Sequence, residues 1–213
     1  MVHLSNEILR FLSEHLNTIS KPARYIGGEY NSVIKEVKKD TLRVALAFPD
    51  VYEVGMSHYG LEILYWLANE LDFVYAERTF LPWTDMIEKM ETYNIPLFTL
   101  ETKTPIYEMD VLGISLEYEL SYTNVLKLLE LSRIPIRCHE RKDSDPIVVG
   151  GGPVAFNCEP IAEAFDALYL GDGEVNFKNF LRVVKETKGL DRETRLKELS
   201  KIEGIAKLNG IEV

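Results

Sequence analysis

The stretch LRVALAFPDVYEVGMSHYGLEILYWLANEL, Leu42 to Leu71, decides the fold. It opens on a short apolar run, LRVALAFP, stopped by Pro49-Asp50, and reads as a buried strand. SHYGLEILYWLANEL then puts Leu61, Leu64, Tyr65 and Leu67 at helical spacing. A strand that hands over to a helix within a few residues is the first half of a βαβ unit. Between the two lie an acid, a tyrosine, a second acid and a glycine: Asp50, Tyr52, Glu53 and Gly55.

The alternation continues outward. DFVYAERTF reads as a strand, TDMIEKMETYN as a helix and IPLFTLET as a further strand. DVLGISLE is a buried strand followed by the helix SYTNVLKLLELSR. DPIVVGGG runs into a glycine turn, EPIAEAF reads as a short helix, DALYLG as a short strand and EVNFKNFLRVVKETKG as a long amphipathic helix. DRETRLKELSKIEG is a polar last helix with few apolar anchors. Upstream, SNEILRFLSEHLNTI is helical, and KPARYIGGEYNSVIKE, broken by Pro22 and Gly27-Gly28, reads as an arm or short hairpin.

Strand and helix alternating from Leu42 to about Lys188 argue for an α/β, Rossmann-like fold of the flavodoxin or cobalamin-binding-domain kind. Its sheet is mostly parallel, with helices on both faces and an N-terminal helical arm. The expected organisation is residues 1–40 as helix and arm, 41–189 as the Rossmann-like domain, and 190–213 as a C-terminal helix or linker. Ligands of such sheets bind beyond the carboxyl ends of the strands. That directs attention to the loops Pro49–Met56, Glu117–Ser121, Gly150–Asn157 and Gly171–Glu174.

The chain of 213 residues carries a net charge of −10 and has two cysteines, Cys138 and Cys158. An acidic chain lacks the clustered Lys and Arg that nucleic acid demands. No disulfide framework is implied, and no apolar run approaches a membrane span. MVHLSNEILRFL lacks the basic start and long apolar core of a signal peptide, so the chain reads as soluble and cytoplasmic. Two cysteines also fall short of an iron–sulfur ligand set. Cys138-His139 reads as a buried thiol beside a surface imidazole rather than as a metal pair.

Three consecutive glycines in VVGGGPVAFN leave a loop whose backbone a bulky ligand can approach; a tight turn would need only one, so three lean toward ligand approach. LGDGEVNF misses the dinucleotide fingerprint at Asn176, and Asp172 and Glu174 would repel a pyrophosphate. Asp50 and Glu53 are a candidate acid–base pair, although acids at a helix start also have a structural explanation. Ser57 and His58 are too close in sequence to face each other on a helix, which leaves His58 to cap or pack beside the cleft.

Read together, these loops carry a resemblance. DVYEVG (Asp50–Gly55) resembles the D-x-H-x-x-G motif of cobalamin-binding domains, ISL (Ile114–Leu116) their S-x-L element, and VVGGGP their glycine turn. KPARYIGGEYNSV, FPDVYEVGMSHYG and VVGGGPVAFNCEPIAEAFDALYLGDGE look like the N-terminal part of a radical SAM protein family of the B12-binding type. The resemblance implies an accessory domain in front of a radical SAM barrel, in cis or as a separate chain. It implies a 4Fe–4S cluster and S-adenosylmethionine only in that barrel, whose C-x-x-x-C-x-x-C motif is not in this sequence. The chain would then represent the accessory domain alone, with a homo-oligomer as a further option.

The resemblance further implies a corrinoid lined by Asp50, Tyr52, Gly55, Ser57, Ser115, Gly150, Gly151 and Gly152. Tyr52 stands where the cobalt-ligating histidine would be, and a phenol of pKa near ~10 is a poor ligand at neutral pH. Any cobalamin would be held without histidine ligation. Three functions stay open: the accessory cobalamin-binding-like domain, a structural or interaction module that binds no cobalamin, and a stand-alone small-molecule enzyme using Asp50/Glu53.

Overall fold

A computed structural model describes residues 2–207. Helix α1 (Val2–His15) leads through a 3-10 turn at Pro22–Tyr25 and an irregular arm to β1 (Leu42–Phe48). Then follow α2 (Tyr52–Met56), α3 (Tyr59–Asn69), β2 (Val74–Phe80), α4 (Thr84–Thr92), β3 (Val111–Ser115) and α5 (Tyr122–Leu131). The chain continues through β4 (Ile147–Gly151), β5 (Ala167–Tyr169), α6 (Gly173–Glu186), α7 (Arg192–Leu199) and β6 (Ile205–Lys207).

The six strands form one sheet in the order β2-β1-β3-β4-β5-β6. β1 to β5 are parallel and β6 runs antiparallel to β5. The order 2-1-3-4-5 is that of flavodoxin-like sheets, and it reverses direction between β1 and β3. The alternation read from the sequence is therefore a Rossmann-like α/β sheet.

Pleating sorts β1 between two cores. Leu42, Val44, Leu46 and Phe48 face α3, α6 and α7, where Leu61, Tyr65, Phe180, Leu181, Leu196 and Leu199 are buried. Ala45 and Ala47 face the opposite core, which holds Ile8, Phe11 and Leu12 of α1, Met86 and Met90 of α4, and Leu128 and Leu129 of α5. Each such fully buried large side chain contributes about 2 kcal/mol against exposure.

Two expectations need correction. IPLFTLET is buried like a strand, but its only ladder contact is a bridge from Phe98 to Pro105. Its polar side chains are the reason. Glu101 accepts the Arg78 backbone N–H at 2.7 Å and Thr99 bonds Glu77 at 3.2 Å, so beside one main-chain bond from Leu100 N–H to the Arg78 carbonyl the segment caps the β2 edge through side chains. EPIAEAF is not an α-helix but a 3-10 stretch, Glu159–Ala164, kinked at Ile161.

The arm is no hairpin. Val33 N donates to Tyr65 Oη at 2.7 Å, and Lys35 Nζ donates to the Asn69, Leu71 and Val74 carbonyls, which lays the arm along α3 and β2. Residues 190–207, expected as a helix or linker, comprise α7 and β6, and both pack on the sheet. The few apolar anchors of that helix, Leu196 and Leu199, are buried within this chain. Residues 208–213 of that segment lie outside the described residues. Among the described residues no helix is long and apolar enough to cross a membrane.

Candidate functional site

A cavity of about 460 Å³ opens beyond the carboxyl ends of β1, β3, β4 and β5. It lies at the crevice where the strand order reverses, in the size range of small-molecule sites. Its wall is chiefly apolar, formed by Leu46, Leu61, Leu64, Val149, Phe177 and Phe180. Polar groups stand at the mouth: His58, Ser115, Glu117, Asp172 and Glu174. Among the described residues no lysine or arginine lines it.

His58 is the N-cap of α3. Its Nδ1 accepts the Leu61 N–H at 3.1 Å, and its Nε2 lies 3.2 Å from Glu117 Oε1. An imidazole accepting at Nδ1 carries its proton on Nε2 and donates it to the carboxylate. Gly60 makes room for the ring, because a Cβ there would lie 2.8 Å from His58 Cε1. Glu117 thus meets a neutral partner, and its charge is not cancelled by any cation in the wall.

Of the residues singled out from sequence, Ser115, Gly151 and Gly152 line this cavity. Gly150 lies in β4 but faces the other core, where a Cβ would meet Leu116, Leu168 and Phe165 at 2.9 Å. Asp50 bridges two loops of the crevice: Oδ2 accepts from Tyr118 Oη at 2.8 Å, and Oδ1 from Val51 N at 2.7 Å. Gly55 is a packing glycine, since a Cβ would strike the Phe80 ring at 2.3 Å. Ser57 spends its hydroxyl on the Glu53 and Val54 carbonyls.

Tyr52 points away from the cavity. Its phenol donates to Glu29 of the arm at 3.1 Å and its ring meets Phe80 edge-on. Burial, then the Glu29 charge, push the phenol above its ordinary pKa, which makes a phenolate ligand harder still to form. Cys138 is buried and His139 exposed, and burial raises the Cys138 thiol. Among the described residues no group of three or more His, Cys, Asp or Glu could hold a metal ion.

Glu53 belongs to the arm clasp rather than to the crevice. Arg24 Nε reaches it at 2.8 Å and Lys21 Nζ at 3.0 Å. The hydrogen bond from Arg24, then that from Lys21, holds its carboxyl down at about 2, against an ordinary 4.5. A depressed carboxyl stabilises the fold above its unfolded pKa and loses that contribution as pH falls through the folded one. The clasp is therefore complete above pH 4.5 and released near pH 2. A carboxyl-resolved NMR titration is expected to place the Glu53 midpoint near 2 and to move it toward 4.5 in Arg24→Ala. A wild-type midpoint already at 4.5 would mean that the clasp does not form in solution.

A family model described as "Radical SAM proteins, N-terminal" matches residues 60–206. The chain belongs to that family. Its matched span takes in α3 to β6, hence most of the cavity wall, and leaves out DVYEVG and the arm. An uncharacterized protein of Methanocaldococcus jannaschii is 29% identical over 143 residues, which is 67% of this chain and 26% of the relative. The chain thus spans about a quarter of that relative's length. No solved structure matches.

The radical SAM N-terminal domain shows one polar group whose side chain the sequence reading passed over, Glu117, although its loop had been marked as ligand-facing. It joins His58 at one mouth with Asp172 and Glu174, which had been read only as repelling a pyrophosphate. Phe156, Tyr169 and Phe177 add the aromatic wall. The signal for these was position alone: each lies at or just beyond the carboxyl end of a strand or within the first turns of α6.

Proposed function

We propose that the chain is the accessory domain of a radical SAM protein and holds a small molecule at the crevice for the catalytic part. The observation that supports this reading is the apolar cavity at the carboxyl end of the sheet. The barrel, with its 4Fe–4S cluster and S-adenosylmethionine, is the partner that this reading assigns to it. The unengaged Ser115 hydroxyl and the Gly151 edge, with only Tyr169 near its Cβ direction, give the ligand a place to lie.

A corrinoid fits this site only in part. The glycine edge and apolar wall suit a flat ring. The mouth does not suit the phosphate of a nucleotide tail, because it holds three carboxylates and, among the described residues, no cation. Neither His58, with both ring nitrogens engaged, nor Tyr52 is placed to reach cobalt. No step is derived through that group.

The structural or docking reading has one observation of its own. Tyr59, Leu120, Phe156 and Val175 are exposed apolar side chains on the loops and helix starts around the mouth. The stand-alone enzyme reading has less support, since Asp50 and Glu53 have separate partners outside the cavity.

Native mass spectrometry of the chain and of Gly151→Leu, purified side by side, tests the small-molecule reading. Gly151 has no left-handed backbone, so a side chain there is tolerated and projects into the cavity. A small-molecule adduct on the wild type that is missing from the variant is the expected result. Identical spectra without adduct, with a barrel fragment bound equally by both, favour the docking module instead.

A further inference from the structure

We infer that the cavity selects an organic cation: an ammonium or similar onium group on an apolar, ring-sized body. This rests on the small-molecule reading above and adds the chemical class of the ligand. The cavity is the site, and the charges at its mouth rank what enters.

The wall sets the body of the ligand. Leu46, Leu64, Val149 and Phe177 offer no polar atoms beyond the main chain, and Phe156 and Tyr169 stand where a ring or cation can lie against them. The mouth sets the head. Glu117 has one oxygen on His58 and, among the described residues, no partner on the other, and its neighbour is a neutral imidazole donor. Asp172 is the N-cap residue of α6 yet makes no side-chain cap hydrogen bond. Glu174 lies in the first turn of the same helix.

Two helix starts also point here, and their dipoles favour anions. The magnitudes decide between the two effects. Each helix N-terminus is worth about +0.5 of a charge, and that of α3 is already capped by His58. Three carboxylates outweigh two such half-charges, so the field in the mouth is negative. A phosphate or carboxylate ligand would meet repulsion and no counter-cation. An ammonium would meet the Glu117 carboxylate at a partly buried site, where screening is weaker than at the open surface.

Three probes with one naphthyl body separate the terms: 2-(1-naphthyl)ethylamine, 2-(1-naphthyl)ethanol and 1-naphthylacetate, each titrated calorimetrically into the 213-residue chain. The amine is expected to bind about tenfold more tightly than the acid, with the alcohol between them. Glu117→Gln should bring amine and alcohol within about threefold, and Gly151→Leu should remove binding of all three. Thermal unfolding of both variants checks that they are folded. Equal or tighter binding of the acid overturns the inference, as does an amine preference untouched by Glu117→Gln. So does hydroxocobalamin that co-elutes with the chain and is displaced by none of the probes. If the alcohol binds and Gly151→Leu abolishes it while the head groups rank equally, the small-molecule reading stands and the cation preference falls. If no probe binds the folded chain, both fall.

Discussion

Asp166→Ala is expected to remove about 3–5 kcal/mol of unfolding free energy, a large share of what a domain of this size has. The carboxylate is fully buried at the start of β5 and carries two arginines. Arg141 Nη1 lies at 3.0 Å and Arg192 Nη2 at 2.6 Å from the same oxygen, which also accepts Val148 N at 2.7 Å. Arg192 ties the whole assembly to α7, through the carbonyls of Lys142, Asp145 and Pro146. Deleting the acid leaves two buried guanidiniums without a counter-charge, and burial already pulls the Arg141 pKa down. Asp166→Asn keeps an acceptor for Val148 N and should lose less. Urea unfolding followed by circular dichroism measures both; a loss below about 1 kcal/mol for the alanine variant would show the triad to be expendable.

Gly152→Ala is expected to cost about 3 kcal/mol, and Gly171→Ala distinctly less. The two glycines share a left-handed backbone, with φ of +126° and +127°. They differ in what a methyl group would meet. At Gly152 it would lie 2.6 Å from the Leu116 carbonyl oxygen, whereas at Gly171 nothing lies within 4 Å. The Gly171 variant therefore reports strain alone, and the Gly152 variant strain plus a backbone collision. Leu116 also bonds the glycine turn on both sides: its N–H donates to Gly151 at 2.7 Å and its carbonyl accepts from Val154 at 3.1 Å. Pushing this turn away would shift Phe156 and the cavity edge as well. Equal losses in the two variants would show that the collision is relieved without cost.

Much of the sheet was legible because the central strands are short, mainly apolar runs, and those of β1 and β3 are followed by a helical repeat. Ile147 to Val149 and Leu42 to Phe48 read as strands for that reason. IPLFTLET misled because burial and strand pairing usually coincide, and here Thr99 and Glu101 supply side-chain bonds in place of a ladder. β6 was missed because three residues have no periodicity to read. Asp166 reads in sequence as a polar residue at a strand start, and nothing in DALYLG announces two arginines from 25 and 26 residues away.

The candidate site divides along the same line. The loops after the strands were legible, and His58 reads as a capping residue beside the cleft and is one. Which side chains of those loops turn inward was not. DVYEVG runs into the short helix α2, so Tyr52 and Gly55, three residues apart on one face, leave the crevice together: Tyr52 goes to Glu29 and Gly55 to Phe80. A motif-spacing argument places a residue on a loop but not on a face of the turn that follows. The mouth carboxylates come from two separate segments, the loop after β3 and the start of α6, with His58 from a third, and only the fold brings them together.

The capped flank of β2 has a consequence for how this domain meets other molecules. An open outer strand is a template on which a foreign chain can add its own backbone, productively or as the seed of an aggregate. Here Leu100 N–H bonds the Arg78 carbonyl at 2.7 Å and the Glu101 carboxylate takes the Arg78 N–H, so that template is occupied from within. A neighbour approaching this flank finds side chains and the arm instead of free main-chain groups. Recognition there has to be by shape and charge, a form of contact that can be released without unzipping a sheet.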